Sequence, residues 1–230
     1  MSRTLHDVAS GTLFGVALNY QGLLDQHLAA FQQAPYQKPP AKPVLFIKTP
    51  NTRNKHGGVV LHPAGERLQP GPALGVVIGQ RTSRVSLENA MAHVAGYVVV
   101  NEFSLPEDSY YRPAVKAKCR DGFCALSAEL IPRDQVANPN QLSLKLFVNG
   151  ELRQENSTTH WVRDIPQLIA EISEFMTLYP GDVLITGTPE GRVDVQPGDQ
   201  VEVEINGIGR LANTCLLYTS PSPTRPRLIS

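Results

Sequence analysis

The sequence predicts a β-rich α+β fold in a single domain, on three observations. Apolar runs of strand length recur through the middle of the chain, two alternating runs are each followed by an Asn-Gly pair, and one segment carries a clear helical period with a capping residue. At 230 residues the chain can bury one sizeable core. A hydrophobic fraction of 41% with 18% charged residues is ordinary for a globular protein. The 21 basic and 21 acidic side chains balance, so neither nucleic acid nor an anionic membrane is expected as a partner.

Taking the elements in order, residues 12–18 read as a buried strand and residues 21–33 as a helix. Leu23, Leu24, Leu28 and Phe31 fall near helical spacing there, with Asn19 and Tyr20 in the preceding turn. Residues 35–43 hold too many prolines for a helix or an inner strand, and read as a surface connector into an apolar strand at 44–47. Further strands are expected at 74–78, 96–100 and 142–148, the first two separated by a short helix near 87–94. Leu142, Leu144, Leu146 and Val148 alternate onto one face, and Asn149-Gly150 signals a hairpin because both residues accept positive φ. Val201, Val203 and Ile205, followed by Asn206-Gly207, repeat the device. The clearest helix spans about 166–178, with Asp164 as N-cap and Leu168, Ile169, Ile172, Phe175 and Met176 on one face. Pro180-Gly181 ends it.

The amino terminus lacks the apolar core of a signal peptide, and no run approaches the roughly 18 residues of a membrane span, so a cytoplasmic protein is expected. The three cysteines, Cys119, Cys124 and Cys215, read as reduced thiols; Cys119 and Cys124 have no second ligand pair for zinc. From Cys215 onward CLLYTSPSPTRPRLIS shows no period, which sets the domain at 1–214 and makes 215–230 an artefactual or disordered tail.

GVALNY (15–20), FIKTP (46–50), ALGVVIGQ (73–80), AGYVVVNEFS (95–104), VNGELRQ (148–154), EFMTLYPGDVLITGTPEG (174–191) and PGDQVEVEINGIGRL (197–211) resemble the fumarylacetoacetate hydrolase superfamily. A helix end, tight turn, strand and Gly-Thr-Pro loop in this order make TLYPGDVLITGTPEG the most specific of them. YYRPAVKAKCRDGF (110–123) is more particular, and resembles the amino-terminal half of the isomerase/decarboxylase branch of 4-hydroxyphenylacetate (homoprotocatechuate) breakdown. The resemblance implies a mixed β-roll of the C-terminal-domain type of that superfamily, curled around the site with helices outside.

It also implies magnesium or manganese as cofactor. In this family a divalent ion chelates the 2-oxo or enol oxygen and a carboxylate of the substrate, taking up the negative charge of decarboxylation or proton removal. Carried over, two ligands of a Glu-x-Glu-Leu step fall at Gly71 and Ala73, and the third at Glu102. Glu102 alone supplies too little charge and too few oxygens for a tight magnesium site. The His and Glu that many members carry after Asn-Tyr fall at Leu23 and Gln26. His27 lies one residue beyond, but a helical step of 100° turns it elsewhere, so it reads as a surface histidine.

Lys118 matches a family lysine near the substrate and is the catalytic candidate, an acid able to protonate a dienolate; without the resemblance it reads as part of a solvated turn with Lys116, Arg120 and Asp121. Thr188 and Gly187 of the Gly-Thr-Pro loop are substrate-binding candidates, although Thr188 also reads as a strand terminus. Tyr111 and Arg112 are further contacts, Arg112 through its bidentate fork. Glu102 is the one metal candidate, or else a cap or ion-pair partner. Lys48 either approaches the pocket or closes a strand as an exposed cation, and His56 and His62 have no ligand-like spacing.

The resemblance therefore implies an enzyme, a carbon-carbon lyase (decarboxylase) and isomerase. Its substrates would be 5-carboxymethyl-2-oxo-hex-3-ene-1,6-dioate and 2-hydroxyhepta-2,4-diene-1,7-dioate, sharing a dienolate. It further implies a homo-oligomer, or pairing with a second similar domain or subunit. The absent carboxylates and relay also suit a metal-poor, non-catalytic partner domain supporting a second active half. Hydrolysis of an acylpyruvate needs an activated water, for which Leu23 and Gln26 offer no relay.

Overall fold

Two sheets carry the chain in the computed structural model, which describes residues 9–107 and 109–218. The strands are β1 (Leu13–Ala17), β2 (Val44–Lys48), β3 (Arg53–Lys55), β4 (Val59–His62), β5 (Pro72–Ile78), β6 (Val94–Glu102) and β7 (Cys124–Leu126). They continue with β8 (Ile131–Pro132), β9 (Ser143–Val148), β10 (Glu151–Ser157), β11 (Val183–Ile185), β12 (Gln200–Ile205) and β13 (Gly209–Leu217). The larger sheet runs β2-β1-β11-β5-β6-β7-β3, with β8 beside β6, and the smaller runs β10-β9-β12-β13-β4. Three pairings are parallel, β1 with β11, β3 with β7 and β4 with β13. The β1–β11 pairing sets Leu13 opposite Val183 and so brings two distant segments to one end of the sheet.

The burial pattern explains why the strands read differently in the sequence. On β5, Leu74, Val76 and Ile78 join the main core while Ala73 and Val77 join a second apolar cluster. A strand buried on both faces is apolar throughout, whereas β9 buries only Leu144, Leu146 and Val148 and alternates. Each such fully buried aliphatic side chain contributes roughly 1.5–3 kcal/mol. The β-rich mixed architecture with peripheral helices is the one expected.

Among the described residues five short α-helices lie outside the sheets: α1 (Gln21–Gln26), α2 (Leu28–Phe31), α3 (Leu87–Ala90), α4 (Val115–Lys118) and α5 (Ile165–Ser173). The single helix expected over 21–33 is instead two, broken at His27, whose amide reaches back only to Leu24 O. Asp164 does cap α5, in a reciprocal capping box with Gln167. That helix ends at Ser173, short of the expected 178, and Phe175 is exposed, because the chain turns there to bridge Leu178 to Thr82.

Asn149 and Gly150 both take positive φ, 53° and 82°, in the β9–β10 hairpin. At Asn206-Gly207 only the glycine does, and Ile205 pairs with Gly209, so this turn holds three residues rather than two. The loss of order expected from Cys215 needs correction: Cys215–Leu217 continue β13, with Cys215 buried opposite Val60. The partner strand β4 carries no signal strong enough to announce that pairing. The expectation for 219–230 lies outside the described residues. Among the described residues no helix is long and apolar enough to cross a membrane, and the three cysteines are free.

Candidate functional site

A cleft of about 380 Å³ opens beyond the C-terminal ends of the parallel strands β1 and β11. Two backbone features shape it. Leu18 leaves β1 with φ 59°, turning Asn19 inward so that its Nδ2 donates to Thr186 O (2.8 Å) and its Oδ1 accepts from Arg163 N (3.0 Å). Gly187 follows β11 with φ 109°, and a Cβ there would lie 2.8 Å from Val16 O, so only glycine fits. The loop thus turns back across the cleft, with Thr188, Glu190 and Arg192 among its lining residues.

Glu102, the last residue of β6, is 1% exposed and sits among three cations. Lys118 Nζ donates to Oε2 at 3.1 Å, Arg192 Nη2 donates to the same oxygen, and Lys48 Nζ lies 2.6 Å from Oε1. The Lys48 ammonium has already committed its three N–H groups to carbonyl oxygens, those of Phe103 (2.7 Å), Lys118 (2.8 Å) and Phe123 (3.1 Å). Its approach to Glu102 is therefore a charge contact. Burial pushes the Glu102 carboxyl upward, but Lys118, Lys48 and Arg192 together outweigh it and hold the group down at about 2. Burial lowers the Lys48 ammonium, against the pull of Glu102.

Lys118 also pairs with Glu107 at 3.0 Å and stands 4.5 Å over the ring of Phe46. Arg192 Nη2 reaches the Thr188 hydroxyl (3.2 Å) and Glu102 O (3.1 Å). The far wall holds His27 and Tyr110, ring centroids 5.1 Å apart and edge to face. Burial and the nearby Glu107 push the Tyr110 phenol up to about 12. His27 Nδ1 donates to Leu23 O at 2.9 Å, which leaves Nε2 as an acceptor in the neutral ring.

Of the residues singled out from the sequence, Glu102, Lys118 and Thr188 line this cleft together. Lys118 is 3% exposed, which excludes the solvated charged turn. Lys48 is buried behind Glu102 instead of closing a strand as an exposed cation. Gly187 shapes the loop without lining the cleft, while Tyr111 and Arg112 are exposed and stand outside it, Tyr111 with its ring edge to Tyr36. His27 is half-buried and lines the cleft with Leu23, four residues earlier and one helical turn away, and with Gln26. Sequence reasoning missed Arg192, Glu107, Tyr110 and Glu190. Only Arg192 had a signal, as a cation four residues beyond Thr188 in a chain whose Glu102 lacks its acidic neighbours.

The residues at the inferred ligand positions do not fit a divalent ion. A Cβ on Gly71 would fall 2.3 Å from Arg192 Nη2 and 2.5 Å from Glu102 O, so that space belongs to the guanidinium and the backbone. Ala73 packs in the second apolar cluster, and both Glu102 oxygens already face cations. Among the described residues no group of three His, Cys, Asp or Glu side chains could hold a metal.

The profile of the fumarylacetoacetate (FAA) hydrolase C-terminal family matches residues 12–216. The chain is 44% identical over 203 residues to the 4-hydroxyphenylacetate degradation bifunctional isomerase/decarboxylase of Salmonella dublin, covering 88% of this chain and 46% of that protein. It thus spans about half the length of that relative. Among solved structures, 5-carboxymethyl-2-hydroxymuconate delta-isomerase from Mycobacterium smegmatis is 27% identical, with TM-score 0.80 over 95% of this chain and 83% of that one. Maleylpyruvate hydrolase from Sphingobium sp. SYK-6, in complex with manganese(II) and pyruvate, is 28% identical, with TM-score 0.74 over 90% and 71% of the two chains.

Proposed function

Because the chain belongs to the fumarylacetoacetate hydrolase family, we propose that its cleft binds 2-oxo di- and tricarboxylates of 4-hydroxyphenylacetate catabolism and turns them over through a dienolate. The reactions are decarboxylation of 5-carboxymethyl-2-oxo-hex-3-ene-1,6-dioate and isomerisation of 2-hydroxyhepta-2,4-diene-1,7-dioate. The observation that carries the reading is the buried Lys118 ammonium at the cleft, held between Glu102 and Glu107 with Arg192 beside it. Lys118 and Arg192 at the cleft offer N–H donors to the carboxylate oxygens of such a ligand.

In the decarboxylation, the bond from carbon 5 to its carboxylate breaks and carbon dioxide leaves. The electron pair moves through the conjugated double bond onto the 2-oxo oxygen, and a proton from Lys118 completes the dienol. In the isomerisation, Lys118 gives a proton to carbon 5 and takes the one that leaves the 2-hydroxyl. A lysine poised between two carboxylates can act in both directions.

A second reading follows from Leu23 and Gln26, which line the cleft at the positions where the family resemblance implies a His and a Glu. Here the domain is a non-catalytic partner of a second similar half or subunit. Turnover of the oxo-hexene tricarboxylate by the purified chain tests the choice. Turnover by the lone chain upholds the enzymatic reading, and turnover only after the second half is added upholds the supporting role.

A further inference from the structure

Arg192 raises a question that ion pairing alone does not answer. All its bonds run through Nη2, to the Glu102 carboxylate, the Glu102 carbonyl and the Thr188 hydroxyl. A guanidinium has five N–H groups, so the three on Nε and Nη1 have no acceptor among the described residues. The side chain is 17% exposed and lines the cleft. An arginine placed only to neutralise Glu102 would be redundant there, since Lys118 and Lys48 already flank that carboxylate.

Lys48, Lys118 and Arg192 stand against the carboxylates of Glu102 and Glu107, and Glu190 lines the same cleft, so the charges balance and the case rests on the geometry of the guanidinium. The guanidinium also holds the space that a side chain at position 71 would require.

We propose that the free Nε and Nη1 edge of Arg192, with Lys118 beside it, binds the planar carboxylate and 2-oxo (enolate) oxygens of the substrate directly, without a divalent ion. The planar fork of arginine matches two oxygens side by side, which a lysine ammonium cannot reproduce. Charge that develops on the 2-oxo oxygen is met by fixed N–H donors in a partly dehydrated site. The inference rests on the 2-oxo acid reading given above.

The test is calorimetric titration of the full chain with oxalate, a planar dianion resembling the enolate of a 2-oxo acid. It is run in buffer stripped of metal by chelating resin and again in excess magnesium chloride. Binding in the metal-free buffer, no tighter in magnesium, is expected, with Arg192→Lys weakening it about tenfold or more and Arg192→Gln abolishing it. Arg192→Lys keeps a cation beside Glu102, so thermal unfolding should show it folded. Oxalate binding that requires magnesium, binding indifferent to both substitutions, or no binding at all would overturn the proposal. The dienedioate turnover assay separates the two ideas. Magnesium-dependent turnover without metal-free oxalate binding removes the role of Arg192 and leaves the activity standing, whereas metal-free oxalate binding without turnover does the reverse.

Discussion

Gly71 and Arg192 share one space. A Cβ on Gly71 would stand 2.3 Å from the guanidinium Nη2, and the same atom would lie 2.5 Å from the Glu102 carbonyl. The second contact is the harder one, because Gly71 O accepts from Glu102 N (2.8 Å) and ties the two backbones together. The absence of an acidic side chain at 71 is thus built into the local backbone as well as into the choice of residue.

Gly71→Glu should therefore lower stability by about 1–3 kcal/mol and leave magnesium affinity unchanged. Adding Arg192→Ala should return part of that loss, since it removes the flexible half of the clash. Urea denaturation of the two single variants and the double variant reads the coupling; strictly additive losses would mean that the two residues do not compete.

Glu102→Gln leaves the buried Lys48 and Lys118 without their shared counter-charge, and a loss of about 3–5 kcal/mol is expected at neutral pH. The sign with pH follows from a carboxyl held at about 2 in the fold against an ordinary 4.5. A group whose value is depressed on folding contributes stability above its ordinary value and loses it as pH falls through the depressed one. The parent protein should lose this contribution between about pH 4.5 and 2, and the Gln variant should show a flatter curve over that window. Parallel curves in pH-dependent denaturation would contradict the ion-pair account.

Lys118→Gln should reduce kcat by about a hundredfold or more while the chain stays folded, because Lys48 and Arg192 still flank Glu102. Arg112→Ala, outside the cleft on an exposed segment, should leave kcat and KM unchanged. Steady-state kinetics on both variants decides between the cleft and the 111–112 segment as the seat of substrate contacts.

His27→Ala should raise KM by roughly three- to tenfold with little change in melting temperature, as befits a half-buried ring that lines the cleft. An unchanged KM would return His27 to the role of a surface residue.

Much of the fold was legible in residue patterns because burial imposes period. The run at 74–78, the alternation at 142–148 and the Asp164 cap each met the physical condition that created them. Short strands such as Arg53–Lys55 and Val59–His62 escaped, since three or four residues hold no measurable period and their partners lie far along the chain. Cys215–Leu217 escaped for the same reason, being ordered by β4 rather than by their own composition.

The sequence by itself determined the family resemblance, the departures at Gly71, Ala73, Leu23 and Gln26, and the candidacy of Glu102, Lys118 and Thr188. Only the tertiary structure decided what stands in the place of the missing groups. Arg192 comes from the loop after β11, Lys48 from the end of β2, and Lys118 from α4, and they meet at Glu102, the last residue of β6, only in the folded chain. Convergence of charges from separate segments leaves no spacing in the chain. It is set by the low dielectric of a buried site, where one carboxylate recruits cations from wherever the fold supplies them.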